Sequence, residues 1–263
     1  MLRAADVHFA YGPGLAGLHG VSLDVDRGGL VGVLGPNGSG KTTLLRLLGG
    51  LLPAGSGRIT IDGRDVTRMT RRDLARRIAI VPQETRLSFE YSVLEVVLMG
   101  RFPHLGPFEL ESPEDVTIAR DALAATGTLS LADRPYRTLS GGEKQRVIIA
   151  GALAQAADLM LLDEPTAALD PGYQIEIAAL LRRLNADRGV TVVVATHDLN
   201  FAAGLCRDLL LLREGRVLAA GPTADVLTRE SVRALYDVEA DVTFHQRAGH
   251  LTVVPLGRTK RTE

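Results

Sequence analysis

"GLVGVLGPNGSGKTTLLRLLGGL", residues 29–51, contains three kinds of local structure in succession. The continuous apolar run "LVGVL" reads as a strand buried on both faces. Glycines and a proline then interrupt it, and "KTTLLRLLGGL" resumes with helical apolar spacing. Strand, loop and helix form the context that the pattern G-x-x-x-x-G-K-[ST] requires. Gly35-Pro36-Asn37-Gly38-Ser39-Gly40-Lys41-Thr42 matches that pattern, with Thr43 following. The glycines let the backbone wrap inward so that its N–H groups face a β-phosphate. Lys41 adds a point charge against the β- and γ-phosphates, and the Thr42 hydroxyl can ligate Mg²⁺. A glycine-rich turn without a ligand is the plainer alternative, and the strand–helix setting argues against it.

At 263 residues the chain fits one large domain or a core with an inserted subdomain. It is 46% hydrophobic and 23% charged, which suits an ordinary buried core. The formal net charge of −1 gives no electrostatic reason to expect nucleic-acid binding. The basic tail "GRTKRTE" (257–263) is short enough to be simply solvated. Cys206 is the single cysteine, which excludes an intrachain disulfide and a thiolate metal cluster. "MLRAADVHFAYG" lacks the apolar core of a secretory signal. No apolar run approaches the roughly 20 residues of a membrane helix. The expectation is a cytoplasmic chain that meets a membrane only through a partner.

"VHFAYG" and "LHGVSLDVD" alternate apolar and polar residues, as half-exposed antiparallel strands do. "SGRITIDG" resumes that alternation, and "RIAIVPQ" reads as a buried strand. From about Thr85 to Ala154 the strand signals stop and three helices are predicted. One lies in "SVLEVVLMGR" and one in "SPEDVTIARDALAATG", the latter with Ser112 as cap and Pro113 in its first turn. The third runs from "LSGGEKQRV" to about Gln155. Strand-like runs return in "DLMLLDEP", "VTVVVATHD" and "RDLLLLREGRVLAAG", with helices between them. The pattern predicts an α/β core of parallel strands, an antiparallel β subdomain and a helical insert over about 85–154. Residues 237–263 carry weak strand pattern in "VTFHQ" and "LTVVPL" and read as a short appendage to a domain over 1–236.

Acids at the end of a buried strand point into the crevice where open α/β sheets bind ligands. Asp163 and Glu164 end "DLMLLDEP". Asp163 is placed to hold Mg²⁺ through its water shell, and Glu164 to poise a water for in-line attack. Alone, such a pair is ordinarily a turn with helix caps; beside a phosphate loop it is not. His197 ends the next apolar strand at the same edge, in reach of a γ-phosphate or the attacking water. Gln83, after "RIAIV", offers an amide oxygen to metal or water. "LSGGE" (139–143) is a second cradle, because Ser140, Gly141 and Gly142 open a helix whose first N–H groups and positive end favour a phosphate.

The ordered set of Tyr11, 35–43, Gln83, "LSGGE", 159–164, "AALD" (167–170) and His197 resembles the nucleotide-binding subunits of ABC transporters over about residues 1–235. The resemblance implies a P-loop NTPase, RecA-like core that uses ATP and Mg²⁺. It implies that Tyr11 stacks on adenine, Glu164 is the catalytic base and His197 the γ-phosphate switch. It also implies a head-to-tail homodimer. There Leu139, Ser140, Gly141, Gly142 and Glu143 of one copy close over the nucleotide of the other, with Asp170 in the adjoining D-loop. Two departures stand out: Ala167 replaces the usual Ser of that loop, and Gly151 interrupts the helix after the signature at a cost of about 1 kcal/mol against Ala.

Within the family, "VPQE…SVLEVVLMGRFPHLG" and "LADRPYRTLSGGE" look like importer ATPases for iron–siderophore, haem and cobalamin. That likeness implies a separate permease docking near 85–107, with the apolar face of "SVLEVVLMG" open to reading as dock or as plain core. It also implies a periplasmic or extracellular binding protein acting indirectly, and a peripheral position on the cytoplasmic face of the inner membrane. The alternative is an ABC-type ATPase in repair, translation or cofactor assembly; the absence of sustained heptads and the single copy of each motif favour transport.

Overall fold

The computed structural model describes residues 1–12, 14–85 and 87–259. The end of the basic tail (260–263) and position 86 in the expected dock lie outside the described residues. The chain opens with β1 (Leu2–Ala10) and β2 (Gly17–Val25), antiparallel partners that alternate buried and more exposed positions. β3 (Leu30–Leu34) is buried throughout and leads through the glycine-rich loop into α1 (Lys41–Leu48). β4 (Ser56–Ile61) and β5 (Arg64–Asp65) complete a sheet of order β2-β1-β4-β5. α2 (Arg71–Ala75) then leads to β6 (Ile78–Val81).

Three helices interrupt the strands at this point: α3 (Val93–Leu98), α4 (Pro113–Ala125) and α5 (Gly141–Ala154). Strands resume in β7 (Leu159–Asp163), α6 (Pro171–Arg188), β8 (Thr191–Thr196), α7 (Leu199–Leu205) and β9 (Asp208–Arg213). β10 (Arg216–Pro222), α8 (Thr223–Val226), α9 (Arg229–Tyr236), β11 (Val238–His245) and β12 (His250–Arg258) follow. The apolar stretch at 207–221 divides into two strands because Glu214 and Gly215 both adopt positive φ, 51° and 72°, and turn the chain back.

The second sheet has the order β10-β9-β3-β8-β7-β6, parallel except for β10 at its edge. α1 is packed between the two sheets: Leu44, Leu47 and Leu48 share one core with Val21 and Ile59 on one side and Leu161 and Val193 on the other. α6, α7 and α9 cover the opposite face. In the parallel ladder Leu34 pairs with Thr196 and Asp163 with Ala195. The loops after β3, β7 and β8 therefore emerge side by side at one edge.

α3, α4 and α5 bury a core of their own, including Val93, Val96, Val97, Leu123 and Val147. The apolar face of "SVLEVVLMG" is thus core and not a partner surface. Among the described residues the large apolar side chains exposed here are Phe89, Phe102, Phe108, Leu110 and Leu129. Arg101, within the stretch 85–107, is buried. Its Nε donates to Asp115 Oδ1 at 2.8 Å and its Nη1 to the Ala154 carbonyl at 2.8 Å. Asp115 is also the capping-box partner of Ser112. Hydrogen bonds from Ser112 first, and from Arg101 second, hold the Asp115 carboxyl down at about 2. The short turn that follows α3 crosses α5 closely at Gly100, where a Cβ would lie 2.2 Å from the Gly151 carbonyl. A Cβ on Gly151 would meet only ordinary contacts, so Gly100 is the glycine this crossing needs.

Removing one partner of a buried ion pair leaves the other charge uncompensated. Arg101→Met is expected to cost about 3 kcal/mol of stability, measured by urea unfolding, and to register as loss of the helical subdomain's packing.

Candidate nucleotide site

Gly40 precedes α1 with φ 106°, a conformation open to glycine, and a Cβ there would lie 2.6 Å from Leu18 Cδ2. This turn lets the loop curl back over its own helix. Lys41, the first residue of α1, is only 5% exposed. Its ammonium donates to the carbonyls of Gly35 at 2.8 Å and Pro36 at 3.2 Å, and lies 3.3 Å from Glu164 Oε1. A charge this deep is tolerated because acceptors surround it. The Ser39 hydroxyl is buried with no hydrogen-bond partner among the described residues.

Glu164 follows β7 with φ 48°, a left-handed conformation that costs a non-glycine residue about 1 kcal/mol or more. Its N–H is fixed by the Ala195 carbonyl at 2.9 Å. Its carboxylate is held from both sides: Oε1 faces Lys41 Nζ, and Oε2 accepts from His197 Nδ1 at 2.9 Å. Glu164 is 7% exposed, whereas the His197 side chain is 52% exposed. The imidazole therefore sits at the rim with room to turn.

Burial pushes the Asp163 carboxyl above its ordinary value, against a hydrogen bond from Thr42 that lowers it, and Glu164 raises it further. Asp163 Oδ1 is buried and without a hydrogen-bond partner among the described residues. No cluster of three or more His, Cys, Asp or Glu side chains suited to a metal occurs among those residues. A hydroxyl, one carboxylate and an amide beside a phosphate cradle suit Mg²⁺, which keeps waters and takes phosphate oxygens as ligands.

A cleft of about 460 Å³ opens over this edge, lined by Asn37, Gly38, Gly40, Lys41, Thr42 and Thr43 together with Tyr11, Gln83, Glu164 and His197. The structure thus brings eight sequence-predicted candidates from five separate segments to one opening, with Gly38 and Gly40 contributing backbone. Gly35, Pro36 and Ser39 complete the loop behind it. Tyr11 stands half-exposed at the rim, its hydroxyl 3.2 Å from Thr43 Oγ1 and its ring edge-to-face with Phe9 at 4.8 Å. That leaves a ring face for stacking.

Among the described residues that line the cleft, none belongs to 139–143. Ser140 caps α5 through a capping box: its N–H and hydroxyl both donate to Glu143 Oε2 at 2.8 Å, and the Glu143 N–H returns a bond to Ser140 Oγ at 3.3 Å. The motif S-x-x-E was legible in "SGGE" as this box. Leu139 is buried beneath it, and Asp170 caps α6 without a side-chain bond. Tyr173, in the first turn of α6, was not read from the sequence. Its ring lies so close to Gly142 that a Cβ there would fall 2.3 Å from it. Arg146, ion-paired with Glu176, lies over the same ring at 5.9 Å. No sequence spacing connects Gly142 to Tyr173; the contact exists only because α5 and α6 pack.

A family profile described as "ABC transporter" matches residues 18–167. The cobalamin import ATP-binding protein of Halobacterium salinarum is 44% identical over 239 residues, 91% of this chain. The chain spans 60% of that relative's length. The hemin import ATP-binding protein of Bordetella pertussis is 43% identical over 252 residues, covering 93% of this chain and 95% of the relative. A metal-chelate type ABC transporter solved in an inward-facing conformation superposes with TM-score 0.86 at 33% identity, over 97% of each chain.

Gly142→Ala is expected to drive its methyl into the Tyr173 ring and cost about 2 kcal/mol. Tyr173→Ala in the same chain should recover most of that loss when the two variants are compared by urea unfolding.

Proposed function

The chain belongs to the ABC transporter family, and from that premise we propose that it binds and hydrolyses ATP as the energising subunit of an importer. The observation that supports this best is the Glu164 carboxylate, suspended between Lys41 and His197 at the mouth of the phosphate loop. A carboxylate so placed can take the proton of a water attacking the γ-phosphate. Lys41 exchanges Glu164 for phosphate oxygens, which frees that carboxylate for the water. Tyr11 offers its ring to adenine, and the backbone of residues 35–43 carries the phosphates. His197 turns at the rim toward the γ-phosphate, and Gln83 holds the water or the metal. Mg²⁺ would be held by Thr42, Asp163 and Gln83, and when bound it neutralises charge that develops on the β- and γ-phosphate oxygens. The unpartnered Asp163 Oδ1 is the feature that fits it.

The separation of residues 139–143 from the cleft supports a homodimer in which Ser140, Gly141 and Gly142 of a second copy supply the missing donors. Asp170, at the start of α6, lies on the same side of the signature helix through Tyr173 and Leu169, both of which press on its glycines. ATP bridges the two copies, and hydrolysis followed by product release parts them, a γ-phosphate switch of the familiar kind.

The relatives' names support a substrate of the cobalamin, haem or metal-chelate type, and iron–siderophore complexes are metal chelates. In the proposed importer the substrate passes through a separate permease and is delivered by a periplasmic or extracellular binding protein. No helix among the described residues is long and apolar enough to cross a membrane. In the proposed assembly the chain lies on the cytoplasmic face of the inner membrane, peripheral through the permease. Docking near residues 85–107 uses the exposed rings of Phe89 and Phe102, with Phe108 adjoining.

Glu164→Gln keeps the shape of the site and removes the base. Hydrolysis is expected to fall by roughly a hundredfold or more, with ATP affinity kept and an ATP-dependent dimer accumulating on size-exclusion chromatography. Near-normal hydrolysis would contradict the assignment of the base.

A further inference from the structure

The segment at the end of α9 reaches the rim of the cleft. Tyr236 closes that helix, and its hydroxyl donates a 3.0 Å hydrogen bond to the backbone carbonyl of His197. Burial raises the Tyr236 hydroxyl well above its ordinary range, and the Glu164 and Asp198 carboxylates raise it further, so it remains a donor at neutral pH.

The ring is anchored from the core sheet. Asp237 ends α9 in a left-handed conformation, and its carboxylate accepts two bonds from Arg213 at the end of β9, 3.1 Å and 2.8 Å. Arg213 donates as well to the Ala234 carbonyl in the last turn of α9. The turn after β9 reaches the phosphate loop in its own right, through the Gly215 N–H and the Ser39 carbonyl at 2.9 Å.

The hairpin of β11 and β12 holds the same loop from the other end. Asn200, in the first turn of α7, exchanges two hydrogen bonds with the backbone of Val253 on β12. The Val253 N–H donates to Oδ1 at 2.8 Å, and Nδ2 donates to the Val253 carbonyl at 3.2 Å. A side-chain amide carries one donor and one acceptor, as a neighbouring strand's peptide would. Val253 is buried in the main core, and the His250 ring lies against Gly204, where a Cβ would come within 3.1 Å. The His197 loop is thus gripped at its carbonyl and at Asn200, while the imidazole stays half-exposed.

We propose that the C-terminal segment is a clamp on the His197 loop, with Tyr236 a positioning residue that fixes the His197 peptide. The imidazole then moves between Glu164 and the γ-phosphate by turning about its own side-chain bonds, on a backbone that stays put. The inference rests on the ATPase reading above. Tyr236 does not line the nucleotide cleft, although it shares a neighbouring opening with Asn37, Gly38 and Ser39. Tyr236→Phe keeps the ring there and removes only the hydroxyl that holds the His197 carbonyl, so its effect falls on turnover through His197.

The test is ATP hydrolysis by the full chain for wild type, Tyr236→Phe, His197→Ala and the double variant, in steady state and under single turnover with enzyme in excess. Removing one hydrogen bond that positions a reacting group is expected to lower kcat about three- to tenfold. The KM for ATP should stay within about twofold. On the His197→Ala background the same substitution should change the residual rate by less than about twofold, because the residue it acts through is gone. A kcat for Tyr236→Phe within about twofold of wild type would overturn the clamp. So would an equal loss on both backgrounds, which would assign Tyr236 a role independent of His197. Absence of hydrolysis by the wild-type chain would instead overturn the ATPase reading, and full activity in His197→Ala would overturn the role of that histidine.

Discussion

A buried ammonium must find acceptors, and much of this molecule is arranged around that requirement at Lys41. Two loop carbonyls and the Glu164 carboxylate meet it. The loop can offer its carbonyls because Gly40 turns left-handed in front of α1. Glu164 can reach because β7 and β8 run parallel in register and its N–H is tied to Ala195. α1 itself is held between two sheets, so the cation at its first residue has little freedom to leave. A phosphate entering the loop competes for the same ammonium. Ligand binding and release of Glu164 are therefore one event in the proposed cycle.

The second cradle has its own physical logic. A Ser-Gly-Gly helix start presents donors and a positive end, and here the capping box of Ser140 and Glu143 keeps that start in order. Tyr173 packs on Gly142 from the helix that follows the D-loop. The two elements that would face a partner copy are thus mechanically joined within one chain. Elsewhere, the proposed clamp on His197 joins the end of α9 to the rim of the cleft. Both joints are made by tyrosines outside the recognised motifs.

The site was legible wherever chemistry coincided with the end of an apolar run. Gly35 to Thr42, Asp163 with Glu164, and His197 each follow a continuous buried strand, and parallel pairing gathers such ends at one edge. What could not be read was set by packing between distant elements. No spacing in the sequence announces that Arg101 is buried; α4 brings Asp115 and α5 the Ala154 carbonyl to it. The face of "SVLEVVLMG" reads equally as core or dock because periodicity reports burial without naming what does the burying. Gly151 drew attention as a mid-helix glycine, yet the close crossing falls on Gly100. Residues 238–258 carried weak strand pattern because much of the hairpin is exposed, with Ala240 and Val253 its contribution to the main core.

The central claim is that the Lys41 cation is the anchor a nucleotide phosphate takes over. The most direct measurement is ATP affinity by titration calorimetry in a Glu164→Gln background, with and without Lys41→Ala. That background removes the negative charge which loss of Lys41 would otherwise leave buried with only His197 as its partner. Loss of a charge-assisted contact to phosphate predicts affinity weaker by roughly a hundredfold with the fold retained. Affinity within about threefold of the Lys41-containing chain would contradict the account.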